Sequence, residues 1–147
     1  MPEIRETQGS GRDIAVPDPQ IESQVKHDGA RAAVVVFSEL GPDHGESARV
    51  VNALQIVREF KEAGDDVKLI FDGGGVTSIA AMVRPDHNLN SLYKMIEDKV
   101  SGACAFCSKA FGVKEQLEAA GVPLLTDFKQ HPRIRSLVVD GYQVMII

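Results

Sequence analysis

Ala32-Ala33-Val34-Val35-Val36-Phe37 is an unbroken apolar run rich in β-branched residues. A strand with one wet face would alternate apolar and polar positions, so a continuous run fits a strand covered on both faces, as strands of parallel sheets are. Gly41-Pro42-Asp43-His44-Gly45 follows it with the punctuation of a loop. Beyond the loop, Val50, Leu54, Val57 and Phe60 recur at helical spacing, Arg49, Arg58, Glu59 and Lys61 fall elsewhere around the turn, and Gly64 stands where a C-terminal cap belongs. The stretch reads as one strand-helix unit.

The unit repeats along the chain. Val67 to Phe71 predicts a second strand closed by Asp72-Gly73-Gly74-Gly75, and Val76 to Val83 a short helix that stops before Pro85. Asn88 can cap a helix carrying Leu89, Leu92, Met95 and Ile96, and Gly102-Ala103-Cys104-Ala105-Phe106 predicts a third, shorter strand. Val113, Leu117 and Ala120 before Gly121 predict a further helix. Val122 to Leu125 predicts a fourth strand, which Pro123 confines to an edge or a strand start. Ile134 to Val139 reads as a helical connection and Tyr142 to Ile147 as a fifth strand. Parallel crossovers need long connections and are nearly always right-handed, so this alternation predicts an α/β fold in three α/β/α layers, with flavodoxin-like layering around a mostly parallel five-stranded sheet. The domain spans residues 30 to 147. Residues 1 to 29 mix Gly9, Ser10, Gly11, Pro17 and Pro19 with scattered charges and read as a flexible tail, with at most a short helix around Ile21 to Val25.

Composition narrows the function. At 147 residues, 44% hydrophobic and 25% charged, the chain can bury one ordinary core. A net charge of -5 and the absence of Trp supply neither a phosphate-binding footprint nor a stacking platform, so no nucleic-acid partner is expected. No apolar run approaches the roughly 20 residues of a membrane span. Met1-Pro2-Glu3-Ile4-Arg5-Glu6 lacks the apolar segment of a signal peptide, so no membrane partner and a cytoplasmic address are expected. In a reducing compartment a close cysteine pair reads as catalytic, redox-active or metal-binding rather than as a staple.

Both cysteines, Cys104 and Cys107, lie where a site is expected. In a parallel sheet the strand-to-helix loops share one edge, so Gly41 to Gly45, Asp72 to Gly75, Cys104 to Ser108 and Asp127 to His131 should gather at the carboxyl ends of the strands, where ligands bind. A strand end leading into a helix offers unpaired N-H groups and a helix dipole, which makes Cys104 the candidate nucleophile with a lowered thiol pKa. Lys109 can add positive charge. Cys107 can resolve a mixed disulfide or persulfide on Cys104, or pack as a small residue. The C-x-x-C spacing resembles the thioredoxin motif but follows the third strand of a repeating parallel pattern, not an early one. Gly41, Gly45, Gly73, Gly74 and Gly75 can bring backbone N-H groups to an anion. Their spacing matches neither a P-loop nor a dinucleotide fingerprint, and a tight turn is the plainer account of Gly73 to Gly75. A structural zinc site needs four ligands, and His44, His87 and His131 stand in scattered loops, so neither a metal nor another cofactor is expected. His44 and His131 titrate in a range useful for proton transfer.

From residue 31 to residue 147 the chain resembles the DsrE/DsrF-like proteins. The resemblance rests on Gly41-Pro42-Asp43-His44-Gly45 after the first strand, Phe71-Asp72-Gly73-Gly74-Gly75-Val76 after the second, and Cys104 followed eight residues later by Gly112-Val113. The closing Gly141 to Ile147 is also similar. That resemblance implies a parallel α/β sheet, trimeric or hexameric homo-oligomers and, as in the sulfur-relay members, a persulfide on Cys104 exchanged with a sulfur donor or acceptor protein. Cys107 stands outside the family pattern, where a small or hydroxyl residue is common. The residues themselves leave two other readings open. One is a non-catalytic oligomeric module binding a small ligand or anion at the glycine-lined edge. The other is a dithiol redox protein cycling a Cys104-Cys107 disulfide.

Overall fold

The computed structural model describes residues 29–147; the expected tail and its short helix lie outside the described residues. Five strands, β1 (Arg31–Val36), β2 (Asp66–Phe71), β3 (Val100–Cys104), β4 (Leu124–Leu125) and β5 (Gln143–Ile146), form one sheet in the order β4-β3-β2-β1-β5. Every neighbouring pair is parallel. The helices are α1 (His44–Glu62), α2 (Gly75–Met82), α3 (Asn90–Ile96), α4 (Ala105–Ala110), α5 (Lys114–Ala119) and α6 (Ile134–Val139), with a 3-10 turn at Glu97–Lys99.

The strand order dictates the layers. β1 to β4 advance in one direction across the sheet, so right-handed crossovers put α1 to α5 on one face; the return from β4 to β5 runs the other way and puts α6 on the opposite face. The core divides accordingly. Ala32, Val34 and Val36 join Val50, Leu54 and Val57 of α1 and Val76, Ile79 and Met82 of α2, whereas Ala33 and Val35 meet Leu137 of α6 and Tyr142. The continuous apolar run of β1 is thus buried on both sides, as its sequence demands.

Local signals set the element ends. Asp43 caps α1, its Oδ1 accepting from the amides of Gly45 (2.7 Å) and Glu46 (3.0 Å). At the other end Gly64 adopts φ +80, the Gly64 amide reaches the Lys61 carbonyl and the Asp65 amide that of Phe60, a Schellman closure that a side chain with a Cβ would strain. Pro123 immediately precedes β4, which is an edge strand.

Several boundaries depart from expectation, most tellingly at β3 and α3. β3 ends at Cys104 rather than Phe106, and α4 begins at once at Ala105, so Cys104 to Ser108 is a strand end and a helix instead of a loop. The apolar stretch Gly102 to Phe106 runs across that junction, and apolarity alone does not mark where the backbone turns. Asn88 does not cap α3. The helix starts at Asn90, whose side chain donates to the Met82 carbonyl, while the Leu89 amide donates to His87 Nδ1. Among the described residues no helix is long and apolar enough to cross a membrane.

Candidate functional site

Three neighbouring chain segments meet at the carboxyl edge of the sheet. Asp72 directly follows β2; its amide donates to the Val36 carbonyl and its Oδ1 accepts from the Gly73 amide at 2.7 Å. Cys104 is the last residue of β3 and the cap of α4, its sulfur accepting the Cys107 N-H at 3.4 Å. The Ser108 hydroxyl donates to the Cys104 carbonyl at 2.7 Å and fixes the first turn of the helix. Cys107, one turn into α4, points its thiol at Asp72 Oδ1, 3.4 Å away.

His131 arrives from the connection after β4. Phe128 and His131 exchange both backbone hydrogen bonds, at 2.9 and 2.8 Å, around Lys129 (φ 49) and Gln130 (φ 67). Two left-handed central residues make a type I′ turn, and each non-glycine residue held there costs on the order of 1–2 kcal/mol. The surroundings hold it: the Phe106 amide donates to the Gln130 carbonyl at 2.9 Å, and the Phe106 ring lies 4.9 Å from that of His131. The turn delivers His131 Nδ1 to within 3.2 Å of Cys104 Sγ, with the Gln130 carbonyl 3.7 Å from the same sulfur. One ligand atom each from Asp72, Cys104, Cys107 and His131 all lie within 4.8 Å of one another.

The electrostatics reverse one expectation. Cys104 is fully buried, and its thiol pKa is pushed up to about 12. Burial is the largest cause; the Cys107 N-H pulls the other way, while the Cys107 thiol and the Asp72 carboxylate raise it further. The amides of a six-residue helix do not offset desolvation and a neighbouring carboxylate. The Cys107 thiol is raised too, by burial first and by Asp72, against opposing hydrogen bonds from Cys104 and the Gly73 amide. Both thiols are protonated at rest, and Cys104 has no exposed surface.

The glycines gather only in part. Gly73, at φ +49, sits beside Asp72 and donates its amide to that carboxylate. Added side chains at Gly73, Gly74 and Gly75 would collide with Phe37, Glu39 and the Val36 carbonyl, so these glycines let the two strand-end loops touch. The Gly41 and Gly45 amides are taken by Ser47 Oγ (3.2 Å) and Asp43 Oδ1 (2.7 Å), and the Gly75 amide by the Asp72 carbonyl (2.8 Å). Four of the five glycine amides are therefore already bonded, and a carboxylate stands among them, which disfavours an anion. Lys109 is exposed on α4 and lines a cleft of about 620 Å³ with Phe106, Lys114 and Gln130. Of the histidines, His131 joins the cysteines; His44 lies exposed at the start of α1 and His87 supports the start of α3. Asp72 and His131 as partners of the thiols escape a reading of the cysteine motif alone. The signal for them was the shared carboxyl edge, on which both loops were expected.

The fold and site define an all-parallel α/β protein with a partly buried dithiol, imidazole and carboxylate cluster at the strand ends. No family model matches the chain. It is similar to an uncharacterized protein of Methanocaldococcus jannaschii, 25% identical over 115 residues that cover 78% of this chain and 93% of the relative. In structure it is similar to a conserved protein of unknown function from Bacteroides thetaiotaomicron, with a TM-score of 0.52 at 14% identity over 80% of this chain and 95% of the other. That likeness supports the α/β fold.

Proposed function

We propose that this chain is a cytoplasmic DsrE/DsrF-like sulfur carrier in which Cys104 accepts a sulfane sulfur from a donor protein and passes it to an acceptor. The observation that carries the reading is the 3.2 Å approach of His131 Nδ1 to Cys104 Sγ. A neutral imidazole there accepts the thiol proton as the sulfur attacks, so a thiol that is protonated at rest still becomes a nucleophile in the reacting complex. In the loading step the Cys104 sulfur bonds to the outer sulfur of a donor persulfide, the donor's sulfur-sulfur bond breaks, and the donor departs as a thiol reprotonated from His131. One sulfur atom moves, and no external oxidant or reductant is required.

Cys104 is buried, and a donor approaches it past the exposed turn residues Phe128, Lys129 and Gln130, which move aside while His131 keeps its place beside the sulfur. Phe106 and Phe128, 56% and 55% exposed, flank that turn and suit contact with a protein partner. Self-association into trimers or hexamers belongs to the same reading and rests on the family resemblance. The test is mass spectrometry of the reduced chain after incubation with a persulfide donor: the reading expects the mass of one sulfur on Cys104, slower loading in His131→Ala and none at this position in Cys104→Ser. Equal loading of the Cys104→Ser variant would sink it.

A further inference from the structure

We propose that Asp72, Cys104, Cys107 and His131 are the four ligands of a site for a borderline-soft divalent transition metal, zinc foremost. The set is mixed sulfur, nitrogen and oxygen, which suits zinc and disfavours the hard, oxygen-seeking magnesium and calcium ions. With metal-ligand bonds of about 2.0–2.3 Å, the edges of a tetrahedral site are about 3.3–3.8 Å long. Two opposite edges are already near that length: Cys104 Sγ to His131 Nδ1 at 3.2 Å and Cys107 Sγ to Asp72 Oδ1 at 3.4 Å. The remaining ligand-atom separations stay within 4.8 Å, so closing on an ion needs movements of about 1 Å or less.

The surroundings are those of a supported centre. The Cys107 amide is aimed at Cys104 Sγ and the Gly73 amide at Asp72 Oδ1, hydrogen bonds that orient a ligating thiolate and carboxylate. The ligands come from two strand ends, a helix and a turn that packing holds independently, so the geometry exists before any ion arrives. On binding, each thiol releases its proton and each sulfur gives a lone pair to the ion, with no change of oxidation state. A bound ion occupies the lone pair with which Cys104 would attack, so the metal-loaded chain is protected from sulfur loading.

Cobalt(II), which reports zinc-type geometry in its visible spectrum, provides the test. Titrated without oxygen into the reduced full chain, it is expected to bind one equivalent with the intense ligand-field bands of a tetrahedral ion and a near-ultraviolet thiolate-to-cobalt charge-transfer band, both abolished by one equivalent of zinc. Cys107→Ser, at a half-buried position, should lose about half of the charge-transfer intensity. It should also bind zinc more weakly by more than the roughly 10–100-fold that loss of a second-shell partner costs. Asp72→Asn should shift the ligand-field bands, and circular dichroism of each variant reports its fold. A weak octahedral spectrum without charge transfer in the unaltered chain overturns the site, as does a folded Cys107→Ser that binds like the parent. The two readings fail separately. A chain that loads sulfur on Cys104 but shows no charge-transfer band refutes the metal site alone. One that binds cobalt as described but takes no sulfur when metal-free refutes the carrier alone.

Discussion

The Cys107 thiol donates to Asp72 Oδ1 at 3.4 Å, tying the start of α4 to the end of β2 across 35 positions of sequence. Burial first, and the carboxylate with it, hold the proton on Cys107, and Cys107 is the only one of the two thiols with exposed surface. Iodoacetamide at neutral pH should therefore modify Cys107 well before Cys104, and Asp72→Asn should speed the Cys107 reaction severalfold by removing the charge that opposes the thiolate. Peptide mass mapping over time measures both. Faster labelling of Cys104 than of Cys107 in the folded chain would contradict the burial described.

Gly75 is where the β1 and β2 ends touch, with no room for a Cβ beside the Val36 carbonyl. Gly75→Ala is expected to destabilise the fold by about 3 kcal/mol, since the obstructing atom is backbone in a packed core. Gly41→Ala, where nothing lies within 4 Å of the added carbon, should change stability by less than about 0.5 kcal/mol. Urea denaturation of the pair separates close packing from a general cost of losing glycine.

Lys129 and Gln130 occupy left-handed conformations that Asn and Gly adopt readily. The double substitution Lys129→Asn with Gln130→Gly should stabilise the protein by about 1 kcal/mol, the strain relieved exceeding the added freedom of the unfolded chain. Thermal melting reads the gain, and a lower melting temperature would show that the two native side chains contribute contacts worth more than the strain.

Tyr93 supplies a pH dependence. Burial, with Glu97 nearby, raises its phenol from 10.0 to about 12. A folded pKa above the unfolded one means that its contribution is complete below pH 10 and is lost as pH rises from 10 to 12. The loss is on the order of 2 kcal/mol. Tyr93→Phe should be less sensitive over that window, as measured by urea midpoints at successive pH values.

The fold was legible where one physical demand dominated. The unbroken apolar run required cover on two faces, which Ala32 to Val36 have and Phe37, exposed just past the strand end, does not; Gly64 marked a left-handed helix end, and Pro123 pointed to the edge strand. The junction at Cys104 was not legible, because its cap is a sulfur rather than a Ser or Asp and apolar residues continue on both sides. The site was half legible. The shared carboxyl edge brought the right loops together, but which side chains meet is decided by a strained turn and by α4 starting without a loop. For the same reason the sequence shows His131 only as a scattered loop histidine like His44 and His87, and a helix dipole at Cys104 predicts a lowered thiol pKa where burial raises it.

The most direct measurement is the intact and peptide mass of the metal-free, reduced chain after exposure to a persulfide donor, for the parent, Cys104→Ser and His131→Ala. The account predicts one added sulfur on Cys104 in the parent, none there in Cys104→Ser and a slower gain in His131→Ala. Sulfur carried on Cys107 alone, or equal loading in all three proteins, would contradict it.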